Sequence, residues 1–274
     1  MRLSIVHETA YRYETPANRA IETLRLTPRG HDGQYIVNWR IDVDRDCRLD
    51  TTTDPFGNLM HSFTVEGPLD GLTITALGEV ETQDTQGILS GQVERFPPAV
   101  FLRESSLTGS DAAIRTFADD VAATAGDDRL PLLHALMAAI RETLRFDVDA
   151  TDTGTSAVEA FAHRHGVCQD FSHVFIAAAR HLGIPARYVG GYLFRADRPD
   201  GQEAGHAWAE AMVEGVGWVG FDPANAICPT EAYIRVAVGL DYLGAAPIRG
   251  TRYGGTGEAL SVRIRIDQSA RGNR

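Results

Sequence analysis

The stretch HGVCQDFSHVFIAAARHLGIPARYVGGY, from His165 to Tyr192, constrains this chain more than any other. Phe171, Val174, Phe175, Ala178 and Leu182 recur at helical spacing and predict one apolar helix face. Gly183 supplies a residue that readily takes the left-handed turn at a helix end, and Pro185 prevents continuation. A strand is expected next, from Arg187 to Arg195. Cys168 stands where the loop becomes the helix. Unpaired N–H groups and the helix dipole at such a terminus favour a thiolate over a thiol. The position suits a nucleophile, provided that a base and an orienting group exist elsewhere to serve it.

The segment before about residue 82 reads as strands. Tyr35, Val37, Trp39, Ile41 and Val43 alternate with polar or exposed positions, which is period two with one face buried. Shorter alternating runs hold Leu3, Ile5, Tyr11, Tyr13, Leu24 and Leu26, then Met60 to Val65 and Leu72 to Val80. Thr15-Pro16-Ala17-Asn18, Thr27-Pro28-Arg29-Gly30, Asp54-Pro55-Phe56-Gly57-Asn58 and Gly67-Pro68 have turn chemistry. Short strands with regular turns predict an antiparallel β-sandwich over residues 1–100. His7, His31 and His61 are isolated there and read as surface or strand residues. The stretch from about Thr82 to Phe101 reads as the connector, leaving a second domain over residues 101–274.

That second part opens with expected helices at Ala112–Ala125, Leu130–Phe146 and Ser156–His163. After the Cys168 helix come expected strands at Arg187–Arg195, His206–Glu214, Trp218–Asp222 and Ala259–Ile266. Helices followed by an antiparallel meander make an α+β arrangement.

Composition excludes several roles. Net charge is −11, from 37 acidic and 26 basic residues, which argues against a nucleic-acid partner. Arg263, Arg265, Arg271 and Arg274 read as a solvated strand face and a frayed tail. No apolar run suits a signal peptide or a membrane span. Three cysteines, Cys47, Cys168 and Cys228, do not make a disulfide framework, and they suit a reducing cytoplasm.

The reactive side chains converge on the second part. Gly215-Val216-Gly217 should join the strand beginning at His206 to the strand ending at Asp222. The two ends of an antiparallel pair are adjacent, so imidazole and carboxylate can meet. A carboxylate on one ring nitrogen fixes the tautomer and leaves the other for the thiol. Trp208 and Tyr192 stand as candidate cleft walls, against core packing as the alternative. Gln169, beside the cysteine, is a candidate substrate contact and, with Asp170, a brace for the loop. A metal site from His163, His165, Cys168 and His173 is the weaker reading, since no second ligand pair accompanies it. Asp147, Asp149 and Asp152 lack the EF-hand pattern. No cofactor or metal is expected.

Gly166 to His173, Leu182 to Tyr192, His206-Ala207-Trp208 and Trp218 to Pro223 together resemble the core of the bacterial transglutaminase-like family. Tyr11-Arg12-Tyr13, Leu24 to Pro28, Val238 to Tyr242 and Pro247 to Gly250 extend the resemblance over nearly the whole chain. Leu240 departs from it, at a position where many relatives carry arginine. The resemblance implies a papain-like catalytic domain with a triad of Cys168, His206 and Asp222. It also implies acyl transfer on protein or peptide amides through a thioester. A peptidase or amidase with the same triad, and a scaffold that retains the fold without turnover, are the alternatives.

Overall fold

The computed structural model describes residues 1–126, 128–197 and 204–269. Arg271 and Arg274 lie outside them. The chain opens with β1 (Arg2–Thr27), β2 (Gln34–Val43), β3 (Asp50–Thr53) and β4 (Leu59–Thr82). Then come β5 (Ile88–Leu89), a 3-10 turn (Pro98–Leu102), α1 (Ala112–Ala125), α2 (Arg129–Thr143), β6 (Arg145–Phe146), α3 (Ala157–His163) and β7 (His165–Gly166). The remainder is α4 (Cys168–His181), β8 (Ala186–Leu193), β9 (His206–Val213), β10 (Gly217–Phe221), β11 (Tyr233–Gly239), α5 (Tyr242–Ala245), β12 (Ile248–Tyr253) and β13 (Ala259–Gln268).

The first four strands differ from the expected sandwich of short strands. Two turn signals do not reverse the chain. Thr15-Pro16-Ala17-Asn18 and Gly67-Pro68 fall inside β1 and β4, opposite one another, where the antiparallel register shifts around Ala17. Such irregularities bend a strand without ending it. Leu24, Leu26, Phe63 and Val65 from one side of the bend share a core with Leu72, Ile74 and Ala76 from the other. The result is one six-stranded sheet folded on itself, in the order β12-β1-β4-β2, with β13 on β1 and β3 on β4. The region expected as a self-contained unit over residues 1–100 therefore carries two strands from beyond residue 247.

A second bulge corrects the reading of β2. The register against β4 shifts between Ile36 and Asn38. Residues before the bulge change faces. Tyr35 is 65% exposed, whereas Gln34 is buried. The Gln34 side chain bonds to the backbone N–H and C=O of Arg235 at 2.8 Å each, so it extends β11 like an added strand residue.

The second sheet runs β11-β8-β9-β10-β5, antiparallel throughout. α4 lies against it under the other helices. Every residue from Gln169 to Arg180 is buried, not only the expected apolar face. Gly183 takes φ 72°, as expected at the helix end. α2 stops at Thr143, short of Phe146, because Arg145–Phe146 pairs in parallel with His165–Gly166. Leu3, Ile5, Val80 and Ile264 of the first sheet belong to the same core as α4, so the two sheets close on a shared interior.

Two polar groups tie this interior together. Arg180 donates to the carbonyls of Phe101, Ala186 and Leu240 and to Thr108. The guanidinium beside Leu240 thus comes from α4. Arg187 is 2% exposed and lies 3.9 Å over Trp218. It pairs with Glu210 at 2.6 Å and with Glu94 at 2.9 Å, and Arg235 completes the group on Glu210 at 2.7 Å. Removing one member strands buried charge. Glu210→Ala should cost about 3–5 kcal/mol. Arg48→Ala, from an exposed pair with Asp50, should change stability by less than about 1 kcal/mol. Urea unfolding of both variants measures the contrast.

Glu22 gives a pH-dependent counterpart. It is 6% exposed, and its Oε2 has no partner. Burial first, then the nearby Glu258, push its carboxyl up to about 7. Folding therefore favours the protonated form. That contribution is present below the ordinary value of 4.5 and is lost as pH rises towards 7. Glu22→Gln should match the wild type near pH 4.5 and exceed it above pH 7, by on the order of 2 kcal/mol. Thermal melts at both pH values provide the measurement.

Candidate active site

The site begins with the backbone around Cys168. Val167 is the N-cap of α4 and has no side chain able to accept a bond. Asp170 supplies one, because its Oδ2 accepts from the Val167 N–H at 2.7 Å and from Thr151 Oγ1 at 2.6 Å. Asp170 is fully buried, and burial raises its pKa despite those bonds. Gly166 has no side chain for a steric reason. A Cβ there would lie 2.5 Å from the same carboxylate oxygen. Gln169 Nε2 reaches the carbonyl of Thr153 at 3.4 Å. The acidic, Thr-rich loop is thereby fastened over the start of α4, and Cys168 is left partly exposed at the first helical position.

The β9–β10 hairpin brings up the other groups. Gly215 and Gly217 make its turn with φ 77° and 103°. The pairing runs from Gly217 with Val213 to Phe221 with Ala209. His206, at the start of β9, then meets Asp222 just past β10, with Nε2 to Oδ2 at 2.6 Å. The other ring nitrogen is left for Cys168, which lies close enough to raise the pKa of the imidazole. The structure thus brings together all three of Cys168, His206 and Asp222.

Asp222 is 0% exposed. Its Oδ1 accepts from the N–H groups of Ala224 and Asn225, at 3.0 and 3.2 Å. Its Oδ2 accepts from Asn225 Nδ2 and from Tyr233 Oη, each at 2.7 Å, besides His206. Burial alone would raise this carboxyl. The bonds from His206, Asn225 and Tyr233, with the charge of His206, outweigh it and hold the pKa below the usual range. On His206, burial opposes the charge, but Cys168 and Asp222 prevail and lift the imidazolium to about 10.

The remaining expected residues fall in different layers. Gln169 lines a cleft of about 360 Å³ beside His206. Trp208 is buried behind the imidazole, with ring centroids 6.2 Å apart, and meets Tyr233 edge-on. Tyr192 also lies behind the cleft, its hydroxyl 2.9 Å from His7 Nδ1. His173 is buried and accepts from the Tyr242 N–H at 3.1 Å, and His163 stacks on His165. Sequence reasoning missed Asn225, Tyr233 and His7. The first follows an Asp-Pro turn, which was a usable signal. His7 continues the buried alternation of Leu3 and Ile5, which was another. Tyr233 carried none.

Residues 115–223 match the model of the transglutaminase-like superfamily, and residues 3–81 match the bacterial transglutaminase-like N-terminal region. An uncharacterized protein of Mycobacterium leprae is 30% identical over 98% of this chain and 99% of its own length. One from Mycobacterium tuberculosis is 31% identical over 92% and 88%. The chain belongs to the transglutaminase-like superfamily. A crystal structure of a candidate cysteine protease from Cytophaga hutchinsonii shares the fold, with a TM-score of 0.79, 21% identity and coverage of 97% of this chain and 90% of that one.

The charge state of the pair is measurable. The His206 imidazolium should persist through neutral pH in an NMR titration. Cys168→Ala should move its titration downward, because the raising influence of Cys168 is lost while burial remains. Since the folded value exceeds the ordinary 6.5, the pair's contribution to stability is complete below that pH and is lost as pH rises through about 10.

Proposed function

We propose that this protein is a cysteine-dependent acyltransferase acting on protein or peptide amides, with Cys168 as nucleophile, His206 as acid and base, and Asp222 as orienter. The observation that carries this reading is the single imidazole bonded to a buried carboxylate at 2.6 Å, with Cys168 close enough to raise its pKa. The Cys168 thiolate bonds to the carboxamide carbon. The N–H groups of Cys168 and Gln169, at the first helical positions, have no carbonyl four residues back within α4, so they are free to stabilise the oxyanion. The C–N bond breaks as His206 gives its proton to the departing nitrogen. An amine or water then attacks the thioester, passes its proton to His206 and releases the thiolate. Asp222 stays ionised throughout and holds the ring.

A scaffold without turnover would cap the thiol with packed side chains. Here Cys168 is partly exposed, and its neighbours Val167 and Gln169 line an open cleft with His206. That favours an enzyme.

Glutamine peptides offered with and without a primary amine test the reading. Wild type should incorporate the amine, and Cys168→Ala should lose about a thousandfold or more of that activity. Ammonia release or chain cleavage without incorporation would replace transfer by hydrolysis on the same triad. Equal activity in Cys168→Ala would end the nucleophile assignment.

A further inference from the structure

The cleft beside His206 is built from both halves of the molecule. The catalytic half contributes Gln169, Tyr188, Gly190, Gly191 and Tyr242. Across from them stand His7, Thr9 and Tyr11 of β1, Ile248 of β12, and Leu260 and Val262 of β13. Among the described residues, none that lines the cleft is Asp, Glu, Lys or Arg, although the chain as a whole carries a net charge of −11. Burial keeps His7 neutral at physiological pH, with its imidazole pulled down to about 4. The volume of about 360 Å³ is within the range that encloses a small ligand group. Apart from the His206 imidazolium, which is already paired with Asp222, no described lining residue carries a charge, so a charge placed against the wall of Tyr11, Leu260 and Val262 costs desolvation without a partner to offset it.

We propose that the folded first sheet is the specificity element of this enzyme, and that the wall made by Tyr11, Leu260 and Val262 selects amide substrates bearing an uncharged, apolar side chain next to the reacting group. The proposal rests on the assignment of Cys168 as the nucleophile. It adds a reason for the unusual chain path. β13 pairs with β1 from Arg12 to Leu3, so the end of the chain is laid along the strand that carries His7, Thr9 and Tyr11. Leu260 is 57% exposed. A large apolar side chain at a cleft wall, left half open to water, is ready to be covered by an apolar group.

Covalent probes read this selection without requiring turnover. Chloroacetamides carrying N-benzyl, N-isobutyl, N-carboxymethyl or N-aminoethyl groups alkylate a thiolate by the same displacement of chloride. The rate at Cys168 is followed by mass spectrometry and divided by that of plain chloroacetamide in the same protein. The benzyl and isobutyl probes should exceed the two charged ones by about tenfold or more, the scale set by burying a few apolar carbons. Val262→Asp should collapse that preference and favour the aminoethyl probe. Leu260→Asp, at an exposed position that folding tolerates, should shift it the same way. Equal normalised rates for apolar and charged probes in the wild type would overturn the proposal while leaving the nucleophile intact. So would a preference unchanged in both variants. No labelling of Cys168 by any probe would instead remove the nucleophile assignment, and the proposal with it.

Discussion

The site depends on a carboxylate that should be costly to bury. Asp222 has no solvent exposure, yet its pKa lies below the usual range. Five hydrogen bonds explain how. Two come from the backbone of its own turn, one from the Asn225 side chain, one from Tyr233 and one from His206. A buried charge so completely paired is fixed in position, because any movement would leave a donor or lone pair unsatisfied. The donors arise from β9, from β11 and from the turn after β10, so the same carboxylate locks those elements together. His206 inherits that rigidity, and its free nitrogen is aimed by the rest of the structure rather than by its own strand alone.

The thiol side is fixed by a second buried carboxylate. Asp170 caps α4 from within its own first turn and takes the Thr151 hydroxyl as well. Because α4 is buried on all sides, its N-terminus cannot tilt without disturbing both the sheet and the helices around it. Cys168 and His206 are therefore held by two independently anchored elements. The Arg187–Glu210–Arg235 group lies farther along the same β9 strand and clamps it to β8 and β11. Buried charge serves here to hold elements in register more than to add stability, since ion pairs repay their desolvation poorly.

Much of this was readable from the chain and some of it could not be. The helices Ala112–Ala125 and Ala157–His163, the stop at Gly183 and the His206–Asp222 hairpin follow from local patterns, which report local structure directly. The errors were all non-local. Pro16 and Pro68 look like turns, but two long strands crossing side by side absorbed them as a bend. Tyr35 sits in a clean alternation, but one bulge turned it outward. β11 contains Tyr233, the donor to Asp222, and becomes a strand because β8 offers it an edge. β12 and β13 likewise gain their meaning only from β1. Periodicity says which face of a strand is apolar, and it cannot say which other strand will cover it.

That limit matters most at the cleft. The three groups of the proposed triad lie within a span of 55 residues and were legible from motif and topology. The opposite wall comes from residues near both chain ends, brought together by β-pairing over more than 240 positions of sequence. A reaction assigned from the triad alone would be common to every enzyme sharing that constellation. The wall across the cleft from His206 is a property of this chain's own strand pairing. Acidic residues outnumber basic ones over the whole molecule, yet among the described residues none lines the cleft. A wall without charged side chains offers an incoming charge no partner. It also leaves the acyl group little reason to bring charge with it. The sheet that seems remote from the proposed chemistry thus supplies one wall of the cleft beside His206, which is where the proposed selection would act.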